Sequence, residues 1–163
     1  MKALTEKTAV AMLAIFIGFV STANAKNTSN ACNVLYDLLL ATQARVNTDI
    51  ATTQGSVASN DQYVGIALAN LADAKSHVDV AVDAAKNGGA PGAPVLYSYA
   101  YGIEGELLQA ALSMGLAKNQ IMISDPYGNQ RASSQYDEYA RTLDKLNDAE
   151  AVAGHCYMNA YYP

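Results

Sequence analysis

The sequence predicts an all-α protein, an antiparallel up-down-up-down four-helix bundle with one disulfide joining the first and last helices. Three observations carry that prediction. Apolar residues recur at three- and four-residue spacing through four long segments. Short connections rich in Gly, Pro, Asn and Ser separate them. The two cysteines, Cys32 and Cys156, open the first segment and close the last, which four lengthwise passes would return to the same end.

The chain begins with a segment set apart from the fold. Lys2 and Lys7 precede the apolar run Ala9–Val20, and Ala23-Asn24-Ala25 follows. This is the three-part layout of a secretory signal, with cleavage expected after Ala25. Twelve apolar residues fall short of the roughly 20 that a membrane-spanning helix needs. The expected organisation is therefore a signal peptide, residues 1–25, and a single helical-bundle domain, residues 26–163, with no stable membrane anchor after cleavage and a periplasmic or secreted destination. Without Lys2, Lys7 and Glu6 the mature chain carries 8 basic and 14 acidic side chains, a net of −6. Acids scattered along the chain argue against nucleic acid and anionic membrane surfaces as partners.

The first helical segment repeats Leu35, Leu39, Thr42, Val46, Ile50 and Val57, and Gly55 is expected to interrupt it. Ser59-Asn60-Asp61 offers N-cap oxygens to the second. That segment has the most regular stripe, Val64, Leu68, Leu71, Lys75, Val78, Val82 and Ala85, widened by Ala67, Ala74 and Ala81. The run Asn87–Pro94 ends it, and Pro94 is expected to open the third helix. The third segment, Val95 to Ala117, has the stripe Leu96, Ala100, Ile103, Leu107, Ala110 and Met114. Tyr97, Tyr99 and Tyr101 alternate as a strand would, but the unbroken stripe favours helix. Residues 118–133 are expected to form a connection in which Ile121 and Ile123 plug the end of the core, with a turn at Asp125-Pro126-Tyr127-Gly128. The last helix is expected to be capped by Ser133 or Ser134 and to carry the stripe Tyr136, Tyr139, Leu143, Leu146, Glu150, Ala153 and Tyr157.

Recognisable catalytic chemistry is absent from this sequence. It contains no Cys-x-x-Cys-His, no Glu-x-x-His pair, no His-Glu-x-x-His and no glycine loop of the phosphate-cradling kind. His77 and His155 are its two histidines. No catalytic residue, metal ligand or cofactor is expected, and the reading is non-enzymatic.

Two constellations remain as candidate sites. Counting helix rise from the cysteine end puts Glu104 and Glu150 at one height, about 15 Å up, with Tyr97, Tyr101 and Tyr157 below them. Paired carboxylates beside aromatic rings suit a cationic or hydroxylated ligand, whereas the bland expectation is that the glutamates reach solvent or pair with Arg45. The second is the tyrosines. All eleven lie outside the leader, whereas Phe16 and Phe19 lie inside it. Tyr127, Tyr161 and Tyr162 are the candidates for an interaction surface, since a ring with a polar tip suits half-wet contacts. The function expected is an exported protein–protein interaction module of the cell envelope, of inhibitor, immunity or accessory type, whose partner is another envelope or secreted protein. The alternative is a small-ligand or haem-binding bundle with its site between helices three and four, using Met158 or His155 if either turned inward.

Overall fold

A computed structural model describes residues 28–56, 62–124 and 130–158. They form four helices, α1 (Thr28–Ser56), α2 (Gln62–Asn87), α3 (Tyr97–Ser124) and α4 (Gln130–Met158), with no strand among the described residues. α1 packs on α2 and α4, and α3 on α2 and α4, the square arrangement of a four-helix bundle. Contacts run antiparallel. As α1 leaves the bridge from Cys32 to Asp49 to Thr53, its partners on α4 run backwards from Cys156 to Thr142 to Tyr139. No described helix is long and apolar enough to cross a membrane. The leader, residues 1–25, lies outside the described residues.

The bridge closes as the topology requires. The Cys32 and Cys156 sulfurs are 2.06 Å apart and their Cα atoms 4.8 Å apart. The α2–α3 connection packs on it: the Val95 N–H donates to the Cys32 carbonyl at 3.0 Å, and the Val95 carbonyl lies 3.6 Å from Cys156 Sγ. Such a pair is compatible with an oxidising compartment.

Helix ends follow local chemistry. α2 stops at Asn87 because Gly89 takes φ +119°. The Gly89 N–H then returns to the Lys86 carbonyl and the Ala90 N–H to the Ala85 carbonyl, a Schellman cap that satisfies carbonyls the helix leaves free. Three expected boundaries are corrected. α3 starts at Tyr97 rather than Pro94, because Val95 and Leu96 spend their N–H groups on Cys32 and Gly88. It runs to Ser124 rather than Ala117, so "QIMIS" is helix: Ile121 fills the core at 1 % exposure while Ile123 faces solvent. α4 begins at Gln130, placing Ser133 and Ser134 inside it rather than at its cap. Tyr97, Tyr99 and Tyr101 are helical.

The core consists of Leu35, Leu39, Val46, Leu71, Val78, Ile103, Leu107, Met114, Ile121, Tyr139 and Leu146, each such side chain contributing about 2 kcal/mol on leaving water. Alanine fills much of the α2 seam, with Ala67, Ala74, Ala81 and Ala85 fully buried. Leu68 moves to a half-buried flank, as does Lys75, which pairs with Asp79. Leu96, expected in the stripe, is 54 % exposed just before α3. On α4 the buried seam is Gln135, Tyr139, Thr142, Leu146, Ala149, Ala153 and Cys156. The predicted stripe was displaced toward its flank, where Tyr136, Leu143, Glu150 and Tyr157 are half-buried.

Candidate functional site

The α3–α4 groove brings together four of the five predicted residues, Tyr101, Tyr157, Glu104 and Glu150. Tyr101 and Tyr157 stack at an angle, ring centroids 5.2 Å apart and planes at 45°. One turn along α3 the Glu104 carboxylate lies across α4 at Gly154, where an added Cβ would come within 3.0 Å of Oε1. Gly154 thus leaves room for the close approach. Glu150, one turn before Gly154, is near enough to act on Glu104 electrostatically. Burial first, and the Glu150 charge second, hold the Glu104 carboxyl above the ordinary carboxylate value. Tyr97 lies one turn before Tyr101 and is 50 % exposed, while Tyr101 is 65 % exposed. The arrangement is an open groove with two like charges beside two rings, suited to a cationic side chain rather than to an enclosed ligand.

Other expected members go elsewhere. Arg45 pairs with Glu138 at 2.7 Å, not with either glutamate of the groove. His77 turns to Glu106, with Nδ1 2.7 Å from the carboxylate. Met158 is 40 % exposed and His155 half-exposed. Tyr127, Tyr161 and Tyr162 lie outside the described residues. Among the described residues no cluster of three His, Cys, Asp or Glu side chains is placed to hold a metal.

The groove yields a pH prediction. A carboxyl whose folded pKa is raised favours the fold when protonated, and that contribution is lost as pH rises through the folded value. Glu150→Gln removes the repelling charge, so its stability relative to wild type should grow as pH rises from about 4 to 7, by about 0.5 kcal/mol for a pair still partly screened by solvent. Urea unfolding at a series of pH values measures this; a difference constant with pH would mean the two carboxylates do not interact.

Two features were missed by sequence reasoning. The first is a polar layer buried between α1 and α4. Asp49 is 2 % exposed and accepts a bond from Thr142 Oγ1 at 2.6 Å. The Thr53 hydroxyl donates to the Asp49 carbonyl at 2.6 Å and bonds the Tyr139 hydroxyl. Burial raises the Asp49 pKa most, against the Thr142 bond and the Arg45 charge. Burial also pushes the Tyr139 phenol up to about 12. The signal was present, since Asp49 and Thr53 continue the Leu35, Leu39, Thr42, Val46 spacing. Apolar Ile50 at the neighbouring position hid it.

The second is the outer face of α3. Of the described large apolar side chains that are exposed, Tyr97, Tyr101, Leu108, Leu112, Leu116, Met122 and Ile123 lie on the outward side of this one helix, with Asn119 among them, whereas Tyr99 turns to Gly88; α4 contributes only Met158. Charge is missing from the same face. The charged residues of α3 are Glu104 and Lys118, which border α4, and Glu106, which turns to His77 on α2. A helix apolar on its outward side as well as its inward one has a second surface to cover besides the core of its own bundle. Elsewhere in the described residues a shallow open pocket of about 260 Å³ lies between Asn33, Tyr36, Asp37 and the loop 90–94.

No protein-family model, curated protein or solved structure matches this chain.

Proposed function

We propose that this chain is an exported, non-enzymatic binding protein, a protein–protein interaction module of inhibitor, immunity or accessory type, whose contact surface is the outer face of α3. The observation that carries the reading is the uncharged apolar face from Tyr97 to Ile123. Scattered apolar residues are ordinary on a surface, but a continuous patch of several hundred Å² marks a contact. The face is about 42 Å long and 10 Å wide, the size of the apolar patches that mark contacts on monomer surfaces and of a weak, transient interface. Tyr101 and Tyr157 at one end supply the rigid aromatic anchors common in such surfaces. The bridge and the signal-like leader support an oxidising, extracytoplasmic setting.

The double variant Leu108→Asp, Leu112→Asp is the test. In-cell cross-linking of wild type in its native envelope should give a specific adduct that the variant loses at least tenfold. Because both positions face water, the unfolding free energy should stay within about 0.5 kcal/mol of wild type. An adduct equally abundant in the variant would remove α3 as the contact surface.

A second reading, a small cationic ligand in the groove, is favoured by one observation, the shared position of Glu104 and Glu150 beside the Tyr101–Tyr157 pair. It predicts that Glu104→Gln with Glu150→Gln abolishes ligand binding while the cross-linked adduct survives.

A further inference from the structure

We propose that the outer face of α3 pairs antiparallel with the same face of a second copy of this chain, about a twofold axis near Ala110–Ala111. This rests on the interaction reading above and names the partner of that surface.

The face is laid out nearly symmetrically about its middle, the apolar pairs about Ala110 and the charged pair one residue further on. Tyr97 and Ile123, Leu108 and Leu112, and Gly105 and Gly115 are each equidistant from Ala110. Glu104 and Lys118 are equidistant from Ala111. An antiparallel pair therefore brings Leu108 and Leu112 of the two copies to one height in the seam, and Gly105 and Gly115 to one height on its two edges. The two glycines have no reason inside one chain. A Cβ added at either would meet nothing within 4 Å, yet a mid-helix glycine weakens a helix relative to alanine. At the edges of the seam, they let the two backbones approach closely.

Charge selects the orientation and the partner. Glu104 and Lys118 both lie on the α4 border of the face, Glu104 over Gly154 and the Lys118 ammonium 4.9 Å from the centre of the Tyr136 ring. Among the described residues Lys118 has no carboxylate partner. A twofold axis perpendicular to both helices keeps the α4 border of one copy beside the α4 border of the other. Glu104 of each copy then meets Lys118 of the other, once at each end. A parallel pair would instead lay the α4 border of one copy beside the α2 border of the other, where Glu104 meets Glu106 and Lys118 meets no carboxylate of α3. The surface is thus complementary to itself in one direction only. The helix face supplies about 420 Å² per copy, below the range of stable specific interfaces, which fits weak, reversible, concentration-dependent association.

Sedimentation equilibrium of the purified oxidised protein tests this. The expected result is a monomer–dimer equilibrium. Leu112→Asp should weaken it at least tenfold, and Glu104→Lys and Lys118→Glu should each weaken it several-fold. Combining Glu104→Lys with Lys118→Glu should restore it to near wild type. Circular dichroism checks that each variant remains helical, and the two charge swaps leave the apolar stripe untouched should Leu112→Asp misfold. A protein that stays monomeric up to about 1 mM overturns the proposal, as does a dimer indifferent to Leu112→Asp or a double swap that fails to restore. If the protein is monomeric yet its in-cell adduct with a different protein still depends on Leu108 and Leu112, the second copy is excluded and the interaction reading stands. If neither self-association nor an adduct depends on this face, both fall.

Discussion

Replacing Cys32 and Cys156 by serine should lower the stability of the bundle by about 3 kcal/mol and its melting midpoint by about 10 °C. The bridge closes a loop over a sequence separation of 124 residues, for which chain entropy alone gives up to about 4.7 kcal/mol at a loop of 100. Residual helix in the unfolded chain reduces that figure. The position adds a local effect. Cys156 is fully buried, and the bridge holds the first turn of α1, the last of α4 and the Val95 backbone at one point. Urea unfolding of oxidised, reduced and Ser–Ser protein measures the loss. Because Cys156 is fully buried, reductant without denaturant should act slowly, at the rate at which this end opens. Equal unfolding midpoints, with both thiols shown free after reduction, would mean that the bridge does not clamp the fold.

Tyr139→Ala should cost about 3–5 kcal/mol, the effect of emptying the largest site in a close-packed core. Tyr139 is the largest fully buried side chain among the described residues and stands on the seam between α1 and α4. Tyr139→Phe isolates the hydroxyl and should cost about 1 kcal/mol, since Thr53 keeps its bond to the Asp49 carbonyl. The neighbouring carboxyl makes the same layer sensitive to pH. The folded pKa of Asp49 is raised, chiefly by burial, so its contribution is favourable below its unfolded value and lost as pH rises through the folded one. Asp49→Asn retains an acceptor for Thr142 and removes the charge. It should therefore gain stability relative to wild type as pH rises above about 4. Unfolding measured at pH 3 to 8 for wild type, Asp49→Asn, Tyr139→Phe and the double variant reports both effects and their coupling. A Tyr139→Ala loss under 1 kcal/mol would show that the layer is not packed, and a pH-independent Asp49→Asn difference would show that the carboxyl is not desolvated.

The candidate groove was legible because helix rise is fixed. Once Cys32 and Cys156 share an end, the heights of Glu104 and Glu150 follow by counting, and the structure brings the two into electrostatic contact. The rotation of each helix was less legible. On α2 small and large apolar residues agree on one direction, and Val64, Leu71, Val78 and Val82 are buried as read. On α4 the centre of the seam is held by Gln135, Thr142 and Ala149, polar or small, while the larger Tyr136, Leu143 and Tyr157 stand one position away. Reading by hydrophobicity turns that helix toward its flank and makes Glu150 look buried. The same bias exchanged Ile50 for Asp49 on α1.

On its own the sequence determined the number of helices, their antiparallel order and the meeting of the two cysteines. These depend on periodicity, on Gly and Pro as backbone breakers, and on chain connectivity, all properties of neighbouring residues. The core stripe of α3 was legible as well, since Ala100, Ile103, Leu107, Ala110 and Met114 are all buried as read; only the tertiary structure showed that a second apolar stripe on the same helix is left facing water. That helix is apolar on both sides, with Ala100, Ile103, Leu107 and Met114 inward and Tyr101, Leu108, Leu112 and Leu116 outward. Hydrophobicity is the same on either face; what separates them is the fit of α3 between α2 and α4, a property of the packed neighbours that no single segment contains.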